Sequence, residues 1–181
     1  MEDLVILVDK KDSVCGSMEK YEAHMKGKLH RAFSVFVIND NRQILLQKRA
    51  VKKYHSAGLW SNTCCSHPKP GEDINLAAKR RLMEEMGFDC RLSKQFSFIY
   101  KATLNNQLTE HEFDHIFFGR YNKDPCPNPS EVAEWKWMDI QMVSNDLKKN
   151  KTTYTYWFSH IWERTIRSLD TFILPDGRTN V

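Results

Sequence analysis

The sequence predicts a mixed α/β (α+β) domain, and three observations lead there. Its 181 residues suit one domain, 41% of them are hydrophobic, and the apolar residues are spread along the whole chain. Strand-like runs are interleaved with stretches of helical spacing. Turn residues stand between neighbouring strand runs, as hairpins require. One domain over residues 1–181 is therefore expected, with no internal repeat and no low-complexity linker.

The elements follow in order. Leu4–Val8 is a short apolar strand closed by the polar turn Asp9–Ser13. His30–Ile38 and Gln43–Arg49 form a hairpin around Asn39-Asp40-Asn41-Arg42. Residues 51–71 contain Gly58, Pro68, Pro70 and Gly71 and read as mostly loop. Glu72–Met86 reads as a helix, with acidic residues in its first turn and Gly87 as its stop. Strands follow at Gln95–Ala102 and Glu112–Tyr121, a proline-rich loop at Asp124–Pro129, and an alternating strand at Glu134–Met138. Helices near Met142–Lys149 and Tyr154–Leu169 close the chain.

The formal net charge is +4, from 27 basic and 23 acidic residues. That mild excess suits a small anion and lacks the dense basic stripe of nucleic-acid binders. The five cysteines are odd in number and form no C-x-x-C pair, and adjacent Cys64 and Cys65 are poorly placed to pair with each other. Reduced thiols in a cytoplasmic protein are expected. The acidic start and its five-residue apolar run do not read as a secretory signal. No stretch approaches the roughly 20 apolar residues of a membrane span. The expectation is a monomer acting on a small molecule, without nucleic-acid or membrane partners.

On the helix after Glu72, residues four apart share a face, which pairs Arg81 with Glu85 and Arg80 with Glu84. Two readings stand. One is a pair of surface ion pairs, each worth a few tenths of a kcal/mol. The other is a phosphate- and metal-binding helix. Its residues Glu72, Arg80, Arg81, Leu82, Glu84, Glu85 and Gly87 are similar to the Nudix box, with two departures. Ser66 stands where the box has its first glycine, and Arg81 stands where it has a glutamate. Replacing a metal ligand by a permanent cation favours holding a diphosphate over cutting it.

Three histidines and two glutamates are candidate metal ligands: His24, His30, His67, Glu110 and Glu112. Glu110 and Glu112 are two apart and point to one side of a strand. Such a nitrogen and oxygen set suits Zn²⁺, Mn²⁺ or Mg²⁺. His55, His111, His115 and His160 read as structural or exposed. Cys15, Cys90 and Cys126 read as small buried apolar groups.

The segment Ser61-Asn62-Thr63-Cys64-Cys65-Ser66-His67-Pro68 resembles the cysteine–histidine segment of type 1 isopentenyl-diphosphate isomerases, members of the Nudix superfamily. Matching pieces surround it in the right order: Glu19–His24, Leu29–Ser34, Gln47–Ala50 with Lys53, Gly58–Trp60, Tyr100–Ala102, Glu110–Glu112 and Tyr156–Phe158. The likeness spans roughly residues 4–165, with a Nudix-like core near 30–165. It implies a mixed sheet sandwiched between helices, with extensions at both ends. It implies a metal site at His24, His30, His67, Glu110 and Glu112, holding Zn²⁺, Mn²⁺ or Mg²⁺. It further implies a Mg²⁺ bridging Glu85 and the Cys65 carbonyl to the diphosphate, and no flavin. Lys20, Arg49, Lys53 and Arg81 would hold the diphosphate, Cys65 and Glu112 would transfer protons, and Tyr100 and Trp157 would attend them.

Moving a double bond adds one proton and removes another through a carbocation-like state. A thiol and a carboxyl can serve as the acid–base pair. An indole face stabilises the cation without trapping it, by up to about 2 kcal/mol when desolvated. A Nudix hydrolase of a nucleoside diphosphate derivative is the nearest alternative. A non-catalytic metal- or RNA-binding module is the alternative of another class.

Overall fold

A computed structural model describes residues 3–104 and 107–172. Met1 and Glu2 of the acidic start lie outside them. In chain order the elements are β1 (Leu4–Val8), β2 (Val14–Glu19), α1 (Lys20–Met25), β3 (His30–Ile38), β4 (Gln43–Arg49), β5 (Trp60–Ser61) and β6 (Cys64–Ser66). Then come α2 (Ile74–Met86), β7 (Leu92–Thr103), β8 (Thr109–Arg120), β9 (Val132–Asp139), α3 (Ile140–Lys149) and α4 (Tyr156–Phe172).

The strands form one mixed sheet with β3 at its centre. β3 runs parallel to β8 over its full length, His30 facing Glu112 and Ile38 facing Arg120. It is antiparallel to β6, where Ser34 faces Cys65, and touches β1 at Leu7–His30. β7 is antiparallel to β8, and β9 to β4.

Period-two alternation on these strands sorts side chains between two layers. Phe33, Val35, Val37, Leu45 and Phe117 pack against Ala77, Ala78, Leu82 and Met86 of α2. Phe36, Ile38, Ile44, Leu46, Ile116 and Phe118 pack on the other face against Val143 and Leu147 of α3 and Phe158, Ile161 and Trp162 of α4. The sheet therefore lies between helices, as expected.

Several local expectations change. β3 and β4 pair only at Ile38–Ile44, because β8 and β6 already occupy the hydrogen-bonding edges of β3; β4 turns away to β9. α2 begins at Ile74, and Glu72 and Asp73 lie ahead of its first turn. Asp73 is the cap, its carboxylate accepting from the Asn75 and Leu76 amides at 2.9 and 3.1 Å. Gly87 ends α2 with φ +75°, and a side chain there would collide with the Cys126 carbonyl. The expected loop 51–71 contains β5 and β6, and β2 and α1 went unread because their polar residues hide the period. Cys15 and Cys126 are exposed rather than buried, and all five cysteines are free.

Candidate active site

A row of three side chains crosses the sheet. Register places His30 on β3 beside Glu112 on β8, and Glu112 beside Tyr100 on β7. His67 follows β6 and reaches the same carboxylate, its Nε2 3.1 Å from Glu112 Oε1; His30 Nε2 lies 3.5 Å from that oxygen. His24 joins from α1, with rings of His24 and His30 4.8 Å apart. One ligand atom from each of His24, His30, His67 and Glu112 falls within 4.8 Å of the others.

The donor chemistry fits a divalent cation. His24 Nδ1 is 2.7 Å from the Lys20 carbonyl and His30 Nδ1 is 2.8 Å from the Lys28 carbonyl. A carbonyl can only accept, so each Nδ1 carries the proton and each Nε2 presents a lone pair inward. Both Nε2 atoms are buried without a hydrogen bond among the described residues. An unpaired buried nitrogen is costly, and a metal removes that cost. Burial keeps the His24 and His67 rings neutral, lowering His24 and taking His67 to about 4, which suits ligation. Glu110 is buried nearby but falls outside the tight group, its Oε1 3.5 Å from His55 Nδ1.

The two carboxyls differ. Burial, with the Glu112 charge beside it, raises Glu110 well above the usual carboxylate range. Burial also works to raise Glu112, but contacts with His30 and His67 outweigh it and hold Glu112 well below that range. Two adjoining carboxyls thus share one negative charge. The Tyr100 hydroxyl donates to Glu112 Oε2 at 2.7 Å and lies 3.2 Å from Glu110 Oε2. Burial pushes the Cys65 thiol up to about 12, so it retains its proton.

One cavity is lined by Cys65, His67, Tyr100, Glu110, Glu112 and Trp157 together with Lys20, Arg49, Lys53, Arg81 and Glu85. The cations are already engaged. Arg49 lies with its guanidinium 5.3 Å from the Trp157 ring and donates to the His55 carbonyl at 3.3 Å. Lys20 pairs with Asp3 at 3.0 Å. Arg81 meets Glu84 and Glu85 at 2.7 Å each and Glu131 at 3.2 Å. Lys53 pairs with the same Glu131 oxygen. Arg80 instead grips Glu72 through two bonds of 2.7 and 2.9 Å and Glu84 at 3.2 Å, so the surface-ion-pair reading fits Arg80 while Arg81 and Glu85 face the cavity.

Four contributors carried no expected role. His55 lines the cavity, stacks on His24 at 5.8 Å and stands edge-on to Trp157 at 6.1 Å; it is neither exposed nor remote. Burial takes its ring to about 3, so it stays neutral. Gln47 donates to Glu85 Oε2 at 2.9 Å. Its sequence signals were a polar residue closing the apolar run Ile44-Leu45-Leu46 and its place at the head of the piece Gln47–Ala50. Glu131 gave no local signal, and Asn62 lies in the cysteine–histidine segment without a local mark of its role. His111 and His160 lie elsewhere, and His115 pairs with Asp12 at 3.1 Å.

Residues 28–159 match the NUDIX domain family. The chain is 52% identical over 166 residues to isopentenyl-diphosphate Delta-isomerase 1 of Aromatoleum aromaticum, covering 92% of this chain and 94% of that protein. It is 51% identical to isopentenyl-diphosphate Delta-isomerase 2 of Photorhabdus laumondii, covering 89% and 91%. Among solved structures, a Deinococcus radiodurans protein matches with TM-score 0.74 at 17% identity, covering 90% of this chain and 98% of that one. The MutT protein of Methanosarcina mazei matches with TM-score 0.65 at 18% identity, covering 78% and 95%. At those identities the structural likeness establishes the fold alone.

Proposed function

The chain belongs to the NUDIX domain family and, within it, to the isopentenyl-diphosphate Delta-isomerases, and from that premise we propose how its own residues interconvert isopentenyl and dimethylallyl diphosphate. The carrying observation is that a thiol, a carboxylate, an indole and four cations from separate segments line one cavity. The reaction adds a proton at the terminal methylene and removes one from the carbon nearer the diphosphate. Cys65 and Glu112 are the proton-transfer pair, with Tyr100 orienting Glu112 through its 2.7 Å hydrogen bond.

Trp157 offers its ring to the cation-like carbon between the two proton transfers. Arg49 caps the cavity beside the same ring, and its contact with the Cys65 sulfur at 3.9 Å holds the sulfur side in place. Lys20, Arg49, Lys53 and Arg81 hold the diphosphate, the arginines by paired donors and the lysines as point charges. Carboxylate partners of Lys20, Lys53 and Arg81, and the His55 carbonyl and Trp157 ring beside Arg49, keep them gathered before substrate arrives.

His24, His30, His67 and Glu112, with Glu110 beside them, are the groups that would hold Zn²⁺, Mn²⁺ or Mg²⁺. Glu85 and the Cys65 carbonyl would hold Mg²⁺ with the diphosphate. Bound there, the cations would fix the Glu112 carboxylate and neutralise phosphate charge. Arg81 in the box, where a glutamate ligand would serve cleavage, supports isomerisation over hydrolysis. No flavin is required by this chemistry. Among the described residues, no helix is long and apolar enough to cross a membrane. Free cysteines support a reducing, cytoplasmic setting, the mild charge supports a small anion over nucleic acid, and the size of the chain makes a monomer the default. We also take residues 1–181 as one domain built on the Nudix-like core.

The test is to incubate purified protein with isopentenyl diphosphate and Mg²⁺ and follow the alkene by NMR, with and without a chelator. Conversion to dimethylallyl diphosphate without phosphate release is expected. Phosphate release without isomerisation would establish the hydrolase instead. Metal uptake with no turnover would leave a binding module.

A further inference from the structure

One buried amide stands between the strand that bears the thiol and the helix that bears the indole. Asn62 lies between β5 and β6 and has no exposed surface. Its Oδ1 accepts from Trp157 Nε1 at 3.1 Å and from the Ser61 hydroxyl at 2.9 Å. Its Nδ2 donates to the Cys64 carbonyl at 2.7 Å and the Val35 carbonyl at 3.2 Å. A carboxamide has two donors and two acceptor sites, and all four are used. The orientation is unambiguous, because an indole N–H can only donate and a carbonyl can only accept.

Each bond has a positional consequence. Cys64 and Val35 are register partners across β6 and β3, so Nδ2 ties both strands at the start of the three-residue strand that carries Cys65. Trp157 stands in the first turn of α4, 95 residues away in sequence. A second tie runs parallel: Thr155 Oγ1 is 3.1 Å from Ser61 Oγ, and the Thr155 amide donates to the Trp60 carbonyl at 2.9 Å. The backbone of α4 is therefore fixed by Thr155, and the Asn62 bond adds control of the ring. An indole free to rotate about its side-chain torsions would turn its face away from the reacting carbon.

We propose that Asn62 is a positioning residue, which fixes the Trp157 ring and the Cys65 strand in one frame so that indole face and thiol meet the hydrocarbon end of the substrate together. This rests on the reading that Trp157 faces the cation-like carbon. Lys20, Arg49, Lys53 and Arg81 bond to groups other than Asn62, so its loss acts on turnover and spares substrate affinity.

The test combines steady-state kinetics on isopentenyl diphosphate with Mg²⁺ and NMR of protein labelled with ¹⁵N at the tryptophan indoles. The Trp157 signal is the one lost in Trp157→Phe. In the parent protein it should exchange slowly with solvent. In Asn62→Ala it should shift and exchange faster, with kcat down at least tenfold and KM within twofold. Asn62→Asp covers the case in which Asn62→Ala does not fold. Buried against the Cys64 and Val35 carbonyls, the new carboxyl holds its proton and still accepts from the indole, so the signal should stay protected, while loss of one of the two donors to β6 and β3 should lower kcat with KM unchanged. Wild-type kcat in the folded variants, a parallel change in KM, or an unprotected Trp157 indole in the parent would overturn the proposal. If Trp157→Phe itself keeps wild-type kcat, the role of the ring falls and takes the proposal with it. If Trp157→Phe is slow while Asn62→Ala is not, the proposal alone falls.

Discussion

Replacing Arg81 by Met removes one charge from the most heavily bonded cation in the cavity. The Arg81 guanidinium reaches Glu84 and Glu85 at 2.7 Å each and Glu131 at 3.2 Å, and its side chain is 20% exposed. Glu84 is 42% exposed and recovers water, so little is lost there. Glu85 is 5% exposed and keeps the Gln47 amide and the neighbouring Cys64 thiol, so a buried carboxylate is left without its cation. Breaking a buried pair costs about 3–5 kcal/mol, and the partial exposure of Arg81 argues for the lower end, about 3 kcal/mol. For a chain of this size that lowers Tm by roughly 6–12 °C. Arg81→Lys keeps the charge but cannot span the same carboxylates, so it should recover about half the loss. Urea unfolding at pH 7 reads the stability, and the NMR alkene assay reads KM, which should rise at least tenfold in Arg81→Met. A loss under about 1 kcal/mol with unchanged KM would refute both the buried-pair reasoning and the place of Arg81 in the diphosphate clamp.

Tyr100→Phe deletes one hydroxyl that donates to Glu112 at 2.7 Å; kcat should fall about 10- to 100-fold with KM nearly unchanged, the size expected when the group orienting a reacting carboxylate is lost, as steady-state assays would show. Zn²⁺ or Mn²⁺ should raise Tm in a thermal-shift assay, and His24→Ala with His30→Ala should abolish the rise, because those two buried Nε2 atoms make no hydrogen bond among the described residues. The Arg80 hydrogen bonds hold the Glu72 carboxyl below its usual value against the opposing effect of burial. A depressed carboxylate contributes stability above its unfolded pKa and loses it as pH falls through the folded one. Glu72→Gln should thus be less stable than the parent by about 1 kcal/mol at pH 7, and the gap should close below about pH 4. Urea midpoints measured from pH 3 to 7 check this.

The sequence by itself determined the period-two core and the order of most elements. Strand β3 shows why: Ala32, Phe33 and the run Val35-Phe36-Val37-Ile38 put apolar side chains, mostly β-branched or aromatic, on both faces, the pattern of a strand buried on both sides. It also carried the Glu110-x-Glu112 pair, the helical spacing of Arg81 and Glu85, and the cysteine–histidine segment, since each lies within one or two turns or strands of itself. Only the tertiary structure decided what stands beside them. Register across β3, β8 and β7 is what sets His30, Glu112 and Tyr100 in one row. His55 and His115 look alike in sequence, but loop packing brings one into the cavity and leaves the other on Asp12. Glu131 joins Lys53 to Arg81, and Asn62 joins β6 to Trp157, across separations of 78, 50 and 95 residues. Hydrogen bonds and ion pairs act over about 3 Å in space and are blind to distance along the chain, so partners this remote leave no local pattern to read.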